Sequence, residues 1–164
     1  MADSSRSLAE RFQAGVTVYL EQLTERLVPV LLRLVECPYP PEIAFLDFEV
    51  FCDGFTEGFP VRAFFMDDTG CEFFVYRGTK AEYPCDVDPQ LLRIKWVYPR
   101  EFEKPFLVED EELDTFTLAG LALIPWFARC WAAAGGGGFE RGAQVGLHDD
   151  FRRFDLVKQA WSEG

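Results

Sequence analysis

The chain reads as an α+β domain: an antiparallel sheet of about four to five strands packed against a long N-terminal helix and a buried C-terminal helix. Three observations predict this. Residues 43–98 hold runs of alternating apolar and polar side chains, closed by turn signals such as Asp53-Gly54 and Asp67-Asp68-Thr69-Gly70, the pattern of half-buried strands. Residues 7–35 repeat apolar side chains every three to four positions, the period of an amphipathic helix. Residues 115–128 carry no charge, as in a helix buried on most sides. A length of 164 residues suits one domain, divided into a helix at 7–35, a sheet at 43–98, a buried helix at 110–134 and a docked tail at 139–164.

The first helix opens on Ser7-Leu8-Ala9-Glu10, the capping-box spacing. Its stripe runs Leu8, Phe12, Val16, Leu20, Leu23, Leu27 and Leu31, which predicts packing on the protein's own sheet. Pro29 has no N–H to donate and should kink or restart the helix, and Tyr39-Pro40-Pro41 should end it.

The first strand puts Leu46, Phe48, Val50 and Cys52 on the core face. Val61, Ala63 and Phe65 continue that face in the second strand, Cys71, Phe73 and Val75 in a third, and Leu92, Ile94, Trp96 and Tyr98 in a fourth. The opposite face then carries Asp47, Glu49, Arg62, Glu72, Arg93 and Lys95, with Phe45, Phe51, Phe64, Phe74 and Tyr76 among them. Aromatic side chains mixed with charge on an open sheet suit a protein interface.

Residues 77–89 and 99–108 have the composition of irregular connections. The second long helix starts near Asp110, where the acids from Glu109 to Asp114 favour a helix N-terminus. Its uncharged part is short for a membrane span and is interrupted by Gly120 and Pro125. Gly135–Gly138 ends it. The tail, with Phe151, Phe154, Leu156, Val157 and Trp161, should dock as a short helix or as a strand ending in a turn.

The net charge of −12 repels phosphate backbones and anionic lipid, which argues against nucleic acid and membrane as partners and in favour of a basic protein. Five cysteines in no C-x-x-C spacing argue against a disulfide framework or a zinc knuckle, and with a polar N-terminus they point to a cytoplasmic protein.

Specific chemistry is sparse. Asp68-Thr69-Gly70 matches one half of an aspartic-protease dyad, but that chemistry needs two carboxylates sharing a proton, and the triplet is also good turn sequence. Glu82, Asp86 and Asp88, and the acids from Glu109 to Asp114, lack the spacing of a calcium loop. Hence no cofactor, metal or catalytic residue is expected. His148, the one histidine, with Asp149 and a nearby cysteine is the weaker alternative site for a small enzyme or ligand-binding protein.

The expectation is a non-catalytic acidic protein that binds a basic protein partner through Asp47, Glu49, Phe51, Asp53, Glu57, Asp67, Asp68, Phe74 and Tyr76. A structural homodimer through the sheet face is a further alternative. In general type, an acidic α+β protein with an aromatic-rich sheet resembles the bacterial toxin-immunity proteins, which implies an inhibitor of a basic toxin.

Overall fold

A computed structural model describes residues 6–162 of the protein. Its α-helices are α1 (Leu8–Glu21), α2 (Thr24–Glu36), α3 (Lys104–Glu109) and α4 (Thr115–Ala133). Its strands are β1 (Phe45–Val50), β2 (Val61–Met66), β3 (Val75–Arg77), β4 (Lys80–Glu82), β5 (Gly142–Leu147), β6 (Phe154–Asp155) and β7 (Ala160–Trp161). The fold is α+β, with a five-stranded sheet ordered β2-β1-β5-β6-β7 and a separate β3-β4 ribbon.

The sheet is mixed, where the sequence predicts an antiparallel one. β1 and β2 pair antiparallel as expected, but β1 and β5 run parallel, from Phe45 opposite Gly142 to Val50 opposite Leu147. Parallel neighbours need a crossover, and α4 lies on it, between β1 and β5 in the chain. The tail is therefore not merely docked, because it supplies β5, β6 and β7. Two glycines in Gly142-Ala-Gln-Val-Gly-Leu147 weaken the strand signal of β5.

The expected fourth strand, 91–98, is irregular. Leu91 has φ +64°, and Val97 donates its N–H to the Phe55 carbonyl (2.7 Å) instead of joining a ladder. Its apolar residues Leu91, Leu92, Val97 and Tyr98 are buried from a loop, which imitates strand alternation. The third strand shrinks to a bridge between Met66 and Glu72, and the chain after it turns away into the ribbon.

The core forms where α4 lies on the Leu46-Phe48-Val50 face. The Phe48 ring sits 5.0 Å from Phe127 and 5.6 Å from Trp131, while α1 and α2 pack mainly against α4 and not on the sheet, where the sequence stripe predicts them. α4 is long and apolar enough to pass for a membrane span, yet 56% of it is buried inside the protein, which marks it as the core helix. Pro125 falls within it and is exposed.

The N-terminal helix is two helices. Ser7 caps α1 by accepting the Glu10 N–H at 3.1 Å, but the break falls at Gln22-Leu23 and not at Pro29, which sits inside α2. At that break Thr24 accepts the indole N–H of buried Trp126 (2.9 Å), locking the restart of the helix to α4. Residues 104–109, expected to be irregular, form α3, whose Phe106 packs edge-on against Phe12 of α1 at 5.2 Å.

Candidate functional site

Parallel pairing of β1 and β5 brings their carboxyl ends side by side, beside the N-terminus of α4. Clefts at the carboxyl ends of parallel strands are frequent binding places. Here the cleft has a volume of about 630 Å³ and is lined by Phe51, Cys52, Asp53, Asp114, Phe116, Thr117, His148, Asp149, Asp150 and Arg152.

Its charge is one-sided. Arg152 is held by Asp150, whose Oδ2 accepts from both Nε (2.9 Å) and Nη2 (2.8 Å) while its Oδ1 accepts from the Arg152 backbone N–H (2.9 Å). The pairing and the Arg152 N–H together hold the Asp150 carboxyl below its ordinary range. Asp114 caps α4 by accepting the Thr117 N–H at 3.2 Å, while Asp53 and Asp149 are exposed. Among the described residues, none of Asp53, Asp114 and Asp149 is matched by a cation.

Cys52 reports the resulting potential. Its thiol is pushed up to about 11, first by burial and then by the charges of Asp114, Asp53 and Asp149. A nucleophilic cysteine needs the opposite, a lowered pKa. The Cys52 sulfur also sits against α4, only 2.8 Å from where a side-chain carbon on Gly120 would lie, so that glycine makes its room.

His148 stands at the cleft's edge, half exposed. Its ring lies 4.4 Å from that of Phe51, and Nδ1 is 3.1 Å from Glu49 Oε2. That bond leads out of the cleft onto the open face of the sheet, into a network centred on Arg153. Arg153 Nη2 donates to Glu49 Oε1 (3.1 Å), Nε lies 3.4 Å from Asp47 Oδ1, and Nη1 donates to the carbonyls of Leu147, Asp150 and Arg152. Gln144 adds a 3.2 Å bond to Asp47. Burial raises the Asp47 carboxyl above its ordinary value, with Arg153 opposing the shift. Gly146 makes the network possible, since a side-chain carbon there would lie 2.3 Å from Arg153 Nη1 and 2.6 Å from the Arg152 carbonyl.

The structure thus distributes the residues that the sequence picks out. Phe51 and Asp53 meet His148 and Asp149 in the cleft. Asp47 and Glu49 lie on the sheet face away from α4 beside partly exposed Phe45, Phe64 and Met66, but Asp47 is buried, Glu49 nearly so, and both carboxylates are occupied by Arg153. Glu57 pairs with Arg100 at 3.0 Å. Asp67 builds the 67–70 turn, accepting from the Thr69 and Cys71 N–H groups, and Asp68 is exposed at its tip. Phe74 and Tyr76 belong to the β3-β4 region, Phe74 lying 5.4 Å from Tyr83, so the expected single face holding Phe45, Phe51, Phe64, Phe74 and Tyr76 does not exist.

A larger concavity, about 840 Å³, lies beside the ribbon, but its arginines are already paired, Arg77 with Glu82 and Arg93 with Asp88. No family model, curated protein or solved structure matches this chain. Sequence reasoning missed Arg153, Asp114 and Phe116 as members of the site or its support. Only the Arg152-Arg153 pair in an acidic chain hinted at the first, and nothing in its spacing pointed across to Asp47.

Proposed function

We propose that the protein is a non-catalytic interaction protein whose acidic cleft takes a basic segment of a partner protein. One observation carries this: Asp53, Asp114 and Asp149 face a cleft in which the guanidinium of Arg152 is already held by Asp150. A lysine or arginine entering it gains about 1–4 kcal/mol from a carboxylate some 4 Å away, depending on local screening. Aromatic anchors stand nearby, with Phe116 50% exposed on the cleft wall and Phe151, next in the chain after Asp150, 91% exposed. Acids that steer and aromatics that anchor are the usual division of labour in such interfaces. An immunity-type inhibitor of a basic toxin is the concrete form of the proposal.

A fluorescent arginine-rich peptide titrated at low salt tests it. The expected outcome is saturable binding that weakens steeply with salt and at least tenfold in Asp53→Asn/Asp149→Asn. Binding that ignores both salt and the double substitution would overturn it.

The volume of the cleft favours one second reading, a small organic cation as ligand, because small-molecule sites commonly span about 300–1,000 Å³. A polyamine that binds as tightly as the peptide, and competes with it, would favour that alternative.

A further inference from the structure

Away from the cleft, two cysteines from distant parts of the chain meet. Cys37 follows α2 in an extended conformation, and Cys85 lies in the connection after the ribbon. The Cys37 thiol donates at 3.6 Å to the carbonyl of Pro84, the residue before Cys85, and the Cys85 thiol is near enough to raise that of Cys37. One turn back on α2, Arg33 pairs with Asp86 at 3.4 Å, so the same loop is tied to the same helix end on both sides of the thiols. Both cysteines are partly exposed, so a small reagent can reach them. Burial and then Cys85 push the Cys37 thiol up to about 12, which makes it a poor first attacker, and Cys85, partly exposed in its loop and donating to Asp86 at 3.8 Å, is the other thiol a reagent can reach.

We propose that Cys37 and Cys85 are a reversible dithiol, which a low-molecular-weight disulfide such as oxidised glutathione closes into an intramolecular bond between the end of α2 and the 83–89 loop. In the first step the Cys85 sulfur, as thiolate, attacks one sulfur of the small disulfide. A protein–glutathione bond forms, the glutathione S–S bond breaks, and one glutathione leaves as thiolate and takes up the proton. In the second step Cys37 loses its proton and attacks the Cys85 sulfur, expelling the second glutathione. Two protein thiols are oxidised and one small disulfide is reduced to two thiols, so electrons and protons balance. Because Cys85 sits in a loop, bond formation asks the loop and not the core to move. The device is independent of the acidic cleft and goes beyond the proposed binding role. It would fix the wall of the concavity beside the ribbon, which Cys85 lines.

The test uses the full chain carrying Cys71→Ser, which removes the exposed thiol. The protein is equilibrated with mixtures of oxidised and reduced glutathione, quenched by alkylation, and read by intact mass and non-reducing peptide mapping. The expected result is a form that takes up two fewer alkyl groups than the reduced protein and weighs about 2 Da less than the same chain with both thiols free and unalkylated, with a linked Cys37–Cys85 peptide and no retained glutathione. The melting temperature should rise by on the order of 10 °C, reversed by reductant, because the bond closes a long loop of the unfolded chain. In Cys37→Ser a single glutathione should remain on Cys85, and in Cys85→Ser the closed form should be absent. Separate glutathione adducts on Cys37 and Cys85 of the parent protein, or no linkage under oxidant, would overturn the proposal.

Discussion

Replacing Arg153 by Met removes a guanidinium that serves two carboxylates and three main-chain carbonyls, while keeping much of the side chain's bulk. The side chains of Arg153, Asp47 and Glu49 are 15%, 11% and 16% exposed, so the network is close to buried. Removing one partner of a buried charge pair costs about 3–5 kcal/mol, and residual solvation trims this to about 2–4 kcal/mol here. With a urea slope of about 2 kcal/mol/M, the unfolding midpoint should fall by about 1–2 M. The loss should depend on pH. Burial already raises the folded Asp47 carboxyl, and removing Arg153 removes the charge that opposes that rise. The folded state then holds the Asp47 proton more tightly than the unfolded chain does, so acidification through that raised value favours folding at this site. The difference between variant and parent is therefore largest near neutral pH and shrinks as the pH falls. Stability lost at low pH through Asp67 and Asp88, whose carboxyls are lowered by groups other than Arg153, is common to both proteins and cancels, while Asp150, lowered mainly by Arg152 and in smaller part by Arg153, loses more in the parent and shrinks the difference in the same direction. Adding Asp47→Asn should recover part of the loss. A cost below about 1 kcal/mol, or one unchanged between pH 7 and pH 4, would refute the account of a buried network.

Three further experiments probe the rest. Gly146→Ala should cost about 2–3 kcal/mol in chemical denaturation, because its methyl would displace Arg153 and press on the Arg152 carbonyl. Gly136→Ala should cost about 1–3 kcal/mol and shift the tryptophan fluorescence, since a side-chain carbon there would lie 2.1 Å from the buried Trp131 indole nitrogen. Alkylation of Cys52 by the neutral reagent iodoacetamide should stay slow until the pH approaches about 11. Asp53→Asn/Asp149→Asn should move that profile toward lower pH, and an unmoved profile would mean that the cleft carries no such potential.

The α+β class was legible because its strongest signals are local. Alternation along Phe45–Val50 and Val61–Met66 reports a sheet with one face on the core, and the uncharged run in α4 reports a helix buried on nearly every side. Partner choice between strands is not local. β1 takes β5 on its second edge although β5 lies almost a hundred residues away and contains two glycines, one of which exists to admit Arg153. That displaced the expected role of residues 91–98, whose apolar side chains fill the core from an irregular path. The candidate site inherits the same asymmetry. Asp53 and His148 could be named from the sequence as acid and lone histidine, but their meeting follows from the parallel pairing alone. The charges of Asp47 and Glu49 looked free in sequence and are held by a residue more than a hundred positions away.

The claim that a basic segment enters the acidic cleft is tested most directly by mapping where such a segment binds. Backbone amide spectra of the labelled protein, recorded during titration with an arginine-rich peptide at low salt, should show shifts concentrated at residues 50–53, 114–117 and 147–150. They should fade as salt is raised and be lost in Asp53→Asn/Asp149→Asn. Shifts confined to the ribbon or to the open sheet face, with those three segments unmoved, would contradict the account.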